Sequence, residues 1–315
     1  MKVCNNELIN TRPSGRVFWM VLTILALGLG NVRAQQETVV EEVAEEEMIE
    51  EIKPVKNTFE SIYLIDAQTV MVPVKGTFEA DFQHRFGTWN NGYDDFYGVF
   101  ASSNIRLGVD YVPIDRLQVG LGFTKFYNLI DVYGKYALLR QMKGGGSAIS
   151  LDYYVNAAVD TRREDANINF EEGTDRWSFF HQIMVARKIT DKFSLQVSGN
   201  LSWFNNKDVY DTSGEFIGQD QNGHFSATAL ARYKLSNTLG FIVEYDQPIT
   251  SSDELVDPQP NLSLGLEIVT SSHAFQLFVG TFQGLVPQYN HTFNQNNFGD
   301  NEILIGFNIT RLWNF

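Results

Sequence analysis

Cysteine is nearly missing from this chain. The one residue, Cys4, stands ahead of an apolar run near the N-terminus. If that run is cleaved, what remains has no disulfide, no thiolate metal site and no cysteine nucleophile. A lipid-modified cysteine would have to follow the run, so that reading is excluded as well. Histidine is scarce, with five in 315 residues, and His84, His181, His273 and His291 lack metal-ligand spacing. Basic residues are outnumbered, 24 against 38 acids, for a net charge of −14. No basic patch, phosphate loop or nucleotide fingerprint is present, which excludes nucleic acid as a partner and predicts no cofactor. After residue 34 no apolar run approaches the roughly 20 residues of a helical membrane span. A membrane protein of this kind has one route left, a closed barrel that pairs all of its own backbone.

The N-terminus carries a secretory pattern. Arg12 and Arg16 precede the apolar run from Val17 to Leu29, and Val32-Arg-Ala34 fits a small-residue cleavage site. About 13 apolar residues suits a signal peptide rather than an anchor. Residues 1–34 are therefore expected to leave, with the mature chain starting at Gln35. From Glu37 to Glu51 there are eight acids and no base. Such a block stays solvated and disordered, which predicts an acidic periplasmic segment over 35–58; a tail for a basic partner is the other reading. Residues 59–74 are too apolar for a linker, with Ile62, Leu64, Ile65, Val70, Met71, Val72 and Val74. They either pack at the mouth of the following domain, the reading favoured here, or enter it as a plug against Phe278, Phe282 and Leu304.

From residue 75 to 315 the chain alternates with period two, the signature of strands with one apolar and one wetter face. Phe78, Ala80, Phe82 and Phe86 oppose Thr77, Glu79, Asp81, Gln83 and Arg85. Ile105, Leu107, Val109 and Tyr111 oppose Asn104, Arg106, Gly108 and Asp110. The pattern recurs to the last residues, where Ile303, Ile305, Phe307, Ile309, Arg311, Trp313 and Phe315 share one face. Two stretches, 131–140 and 176–189, are less clean, with Phe179 and Phe180 on both faces. Twelve strands are expected, near the length of tilted membrane strands. Connections alternate between tight turns, such as Ser236-Asn237, and longer loops. The longer ones are net acidic, whereas the turn side carries Arg116, Arg140, Lys143, Arg187, Lys188, Lys192 and Lys234. Aromatics gather at both ends of the apolar faces, as in the girdles of membrane barrels.

These features predict an all-β fold: a transmembrane antiparallel up-and-down β-barrel with short periplasmic turns and long extracellular loops. It would lie in the outer membrane of a Gram-negative bacterium with both termini periplasmic, in contact with outer-membrane lipid. The closing strand, through Phe307, Ile309, Trp313 and Phe315, resembles the signal read by the barrel assembly machinery. The stretches Asp66–Lys75, His84–Gly87, Gly92–Gly98, Ser103–Gly108, His273–Gln276 and Ile309–Phe315 resemble a Bacteroidota β-barrel family known only as a domain of unknown function. The resemblance implies barrel and outer membrane, and supplies no activity or site residue.

Parity assigns to the lumen Glu79, Asp81, Asp110, Asp152, Glu244, Asp246 and Glu267, with Arg85, Arg106, Lys135, Arg232 and Lys234. Two readings compete. The charges line a hydrated pore and set its preference, or they pair across a narrow interior, Arg106 with Glu79 or Asp81 and Arg232 with Glu244. Inward Gly108, Gly120, Gly122, Gly240, Gly265, Gly280 and Gly306 leave room, which favours a narrow passive channel for small hydrophilic solutes. The alternative is a non-conducting structural or interaction barrel acting through its acidic loops or tail. A remote third reading is a lumenal hydrolase, since His224 and Ser226 share a face in a spacing seen in outer-membrane phospholipase; no third, orienting group is identifiable. No catalytic residue and no metal site is assigned, Asp94-Asp95 and Glu171-Glu172 lacking a ligand ladder.

Overall fold

The computed structural model describes residues 52–163, 170–206, 208–210, 216–251 and 257–314. The signal peptide, most of the acidic segment and Phe315 lie outside them. Twelve strands form the barrel: β1 (Thr77–Thr88), β2 (Asn104–Ile114), β3 (Leu117–Thr124), β4 (Leu129–Leu139), β5 (Ser150–Asp160) and β6 (Trp177–Lys188). They continue as β7 (Phe193–Phe204), β8 (Gly223–Lys234), β9 (Leu239–Pro248), β10 (Asn261–Val269), β11 (His273–Gly280) and β12 (Leu304–Asn314). Each strand pairs with its sequence neighbours, and β12 pairs antiparallel with β1, so the sheet closes and no barrel strand is left with an unpaired edge. This is a cylinder and not two stacked sheets.

Burial alternates along the strands, as the period-two sequence requires, and its sense is that of a membrane protein. The outward face leaves Leu277 60%, Phe225 57% and Ile183 55% exposed, whereas the inward Arg85, Lys135 and Asp152 are fully buried. A soluble protein does the reverse, so the apolar belt is the surface that meets lipid. Among the described residues no helix is long and apolar enough to cross a membrane.

The connections after β1, β3, β5, β7, β9 and β11 leave from one end of the barrel, and 115–116, 140–149, 189–192, 235–238 and 270–272 share the other. Pro113 lies inside β2. The pairing with β3 slips between Tyr111 and Ile114, and a proline with no N–H to donate is tolerated at such a bulge. At the short-turn end Lys53–Pro54 pairs with Met142–Lys143. Within 281–303 a short helix, α1 (Pro287–Phe293), starts on a proline, whose missing N–H costs nothing in a first turn.

Candidate functional site

The lumen is occupied. Residues 59–72 run inside the cylinder, with Phe59, Ile62, Leu64, Ile65, Thr69 and Val72 at most 4% exposed. Their sequence makes a miniature hairpin, Tyr63–Leu64 against Ala67–Gln68. Its tip puts Ile65 at φ 60°, a left-handed conformation that is costly for a β-branched side chain. Such strain, on the order of 1–3 kcal/mol, persists only where the surroundings over-determine it. They do so here. The Ile65 N–H donates to Gln276 (3.0 Å), and its carbonyl accepts from Asn308 (2.7 Å) and Arg85 (3.3 Å).

Side chains from strands all round the wall seat the rest. Arg85 on β1 pairs with Asp66 at 2.7 Å, both buried, and lies 4.5 Å over the Phe278 ring. Glu244 on β9 accepts from the N–H groups of Asp66 (2.9 Å) and Ala67 (3.2 Å). Lys135 on β4 donates to Gln68 Oε1 (2.8 Å) and the Thr69 carbonyl (3.0 Å). Gln196 on β7 accepts from Val70 N–H (3.0 Å) and donates to the Gln68 carbonyl (2.8 Å). Ser61 donates to Glu267 on β10 at 2.6 Å. The favoured expectation, burial at the mouth, is thus corrected: the segment enters the lumen. The physical reason is an apolar patch on the inner wall. Tyr133, Tyr154, Phe180, Met184, Leu230, Ile242 and Phe278 cluster with Phe59, Leu64, Ile65 and Val70. Water could not cover that patch without penalty, whereas six or so buried aliphatic and aromatic side chains contribute about 1.5–3 kcal/mol each.

A second filler enters from the long-loop end. Connection 281–303 folds inward, burying Phe282, Leu285, Val286, Gln288, Asn290, His291 and Thr292. The His291 ring stacks on Phe180 (5.3 Å between centroids) and meets the Phe282 ring edge-on at 5.7 Å. Gln288 donates to Asn156 Oδ1 (3.1 Å) and Ser178 Oγ (3.2 Å). Tyr289 packs on Tyr127 and on Phe204, each at 5.2 Å. Burial holds the His291 imidazole below its ordinary value of 6.5, and Asp246, 3.9 Å away, pulls the other way. Between the two fillers lies a cavity with about 20 Å³ of room for water centres, bordered by Asp66, Arg106, Asp131, Tyr154, Glu244 and His291. That is enough for a water or two.

Of the charges assigned to the lumen by parity, Glu79, Asp81, Arg85, Arg106, Asp110, Lys135, Asp152, Arg232, Glu244, Asp246 and Glu267 all point inward and are buried. Lys234 sits half-exposed at the last position of β8. Arg106 is clamped between Asp81 (3.1 Å) and Asp131 (2.9 Å). Arg232 pairs with Glu267 at 2.5 Å, two strands away, and not with the adjacent Glu244, which is engaged by the segment. The inward glycines do not leave space. A Cβ on Gly108 would meet Asp81 Oδ2 at 1.8 Å, and one on Gly122 would meet Arg106 Nη2 at 2.2 Å. They are absent side chains that let long charged ones lie flat on the wall. Sequence reading missed Asp131, because parity was blurred in 131–140, and Asp66, because it lies outside any strand. It also passed over the amides Gln196, Gln276 and Asn308, which carry no formal charge to mark them.

His224 and Ser226 do share the inward face. His224 Nε2 lies 3.0 Å from the Gln221 carbonyl, and Ser226 accepts from Asn200 at 3.2 Å. Phe307, Ile309 and Trp313 lie on the outward side of β12, Trp313 against Phe78 with centroids 5.8 Å apart.

No curated protein is significantly similar in sequence. Solved structures with a similar strand arrangement include the NanC porin, 10% identical, covering 76% of this chain and 99% of that one with a TM-score of 0.47. An outer membrane channel from Pseudomonas putida F1 is 14% identical, covering 77% and 97% with a TM-score of 0.48. The KdgM porin is 11% identical, covering 75% and 99% with a TM-score of 0.43. No residue role carries over at such identities. The sequence itself is more telling: residues 59–313, filler segment and all twelve strands together, match one family as a unit. The chain belongs to that family, described as membrane bound beta barrel domain (DUF5777).

Proposed function

We propose that this protein is a passive channel for small hydrophilic solutes in the outer membrane of a Gram-negative bacterium, of Bacteroidota origin, and that the arrangement described above is its closed state. Short turns and both termini face the periplasm; the longer connections face outward. The observation that supports this reading is the nature of the wall. Beyond one apolar patch its inward face is charged or amide-bearing on almost every strand. A barrel kept shut for structural reasons has no need of so much polar lining, since well-packed apolar residues stabilise an interior as well or better. The filler, moreover, is one continuous segment reached through the N-terminus, so its withdrawal would leave the wall intact. The outward face of β12, with Phe307, Ile309 and Trp313, serves with the terminal Phe315 in recognition by the assembly machinery, and catalysis is no part of the reading.

Planar-bilayer recording tests it. Full-length protein is expected to pass little current, and removal of residues 35–74 to open a stable conductance. A refolded barrel lacking those residues that remains silent sinks the proposal. One observation favours the rival, a non-conducting structural or interaction barrel: fillers enter from both ends, and the cavity between them holds only a water or two. For that rival, capture of a defined partner should depend on residues 35–58 while bilayers stay silent.

A further inference from the structure

The inner wall is not electrically balanced, and its imbalance has a spatial pattern. Within electrostatic reach of Lys135 are three acidic side chains, Asp152, Asp110 and Glu79, against one other base, Arg140, so acids outnumber bases three to two. Both oxygens of Asp152, fully buried, lack any hydrogen-bond partner, as do Glu79 Oε1 and Asp110 Oδ2. On the same strands of the wall Arg106 is shared by Asp81 and Asp131, one base to two acids. Glu267 is matched by Arg232. Glu244 and Asp246 have no arginine or lysine paired to them; Glu244 is satisfied by two N–H groups of the filler, and Asp246 by Thr228 and Asn261.

Withdrawing residues 59–72 sharpens the pattern. Lys135 loses Gln68 and the Thr69 carbonyl and keeps only its carboxylates. Glu244 loses both of its donors, and Arg85 loses Asp66, which leaves with the segment. Acidic groups then outnumber basic ones on the wall in every cluster except the Arg232–Glu267 pair and the freed Arg85. Charges lining a narrow path between low-dielectric walls act with little screening, and their field decides which ions enter.

We infer that the open lumen is selective for cations: its acidic side chains, among them Asp152 with both oxygens unpartnered and Glu79 and Asp110 with one each, are the coordination sites of small monovalent cations and cationic solutes. The inference rests on the channel reading above and names its substrate class. The filler is the internal stand-in for that cargo, because it presents to Glu244 and Gln276 the N–H groups that an ammonium or a hydrated cation would present.

Reversal potentials in a KCl gradient test this on the full-length chain carrying Asp66→Asn, which frees Arg85 without deleting any segment. A preference for K⁺ over Cl⁻ of roughly tenfold is expected. Adding Glu79→Gln, Asp110→Asn and Asp152→Asn should reduce it at least about threefold. Should that variant not refold, the same loss is read on the Asp66→Asn chain by lowering the bath to about pH 4, where carboxylates take up protons. A current that is anion-preferring, or indifferent to both acid and substitution, overturns the selectivity while leaving the channel standing. Silence from every variant overturns both.

Discussion

The two fillers of this barrel are built from different chemistry. Residues 59–72 are tied to the wall by a buried ion pair, a lysine bridge and main-chain N–H groups aimed at carboxylates and amides. The connection around α1 is tied by ring stacking and neutral amides, with His291, Tyr289 and Gln288 as its contacts. The first depends on charges that become costly the moment a partner leaves. The second loses only modest increments, contact by contact. A closure of the first kind is all-or-none, whereas one of the second kind loosens gradually.

The largest break of that contrast should come from Asp66→Ala. It strands the Arg85 guanidinium in a dry site, where removing one partner of a buried pair costs about 3–5 kcal/mol. Hydrogen exchange should rise across 59–72 while residues 285–293 stay protected; equal exposure of both would mean the fillers are one unit. Next, Gly122→Ala pushes on the Arg106 clamp from the wall side, at a cost of about 1–3 kcal/mol in unfolding of the refolded barrel. Unchanged urea midpoints would show that the guanidinium moves aside freely. Phe180→Leu keeps an apolar though smaller side chain and removes the His291 stack, worth about 0.5–1.5 kcal/mol. Its effect should appear at 285–293 and spare the Arg85–Asp66 pair.

The smallest effect is one of pH. Burial lowers the His291 pKa, so the folded-in loop favours the neutral ring. Its contribution to closure is complete above the ordinary 6.5 and declines as pH falls below that value toward the lowered one. Acidification should therefore raise exchange at 285–293, and His291→Gln should abolish that response. Loosening as pH rises would reverse the sign and reject the assignment.

Much of the barrel was legible because lipid on one side and polar lining on the other force strict parity, as along Thr77–Arg85 or Leu304–Asn308. The site was legible only in part, and the failures share a cause. Stretches 131–140 and 176–189 blur the alternation, and Tyr133, Phe180 and Met184 lie in them. They are the apolar inner patch, and an apolar residue at an inward position signals an internal partner. Two apolar runs in one chain, one before the first strand and one misplaced on the wet face, were the two halves of a single contact. The pairing of Arg232 with Glu267, which skips a strand, was not legible, because side-chain reach across a curved wall is not set by adjacency in sequence. Nor was the role of Gly122, since a missing side chain does not say whose volume replaces it.

The hydrogen bond from Asn308 to the Ile65 carbonyl joins residues 243 positions apart, nearly the whole described length. Contacts of such high order form late, because the loop they close is entropically the most expensive in the molecule. The Asn308 side of the seat that holds Ile65 does not exist until β12 lies beside β1. The hairpin's seat is therefore completed only by the pairing that closes the cylinder.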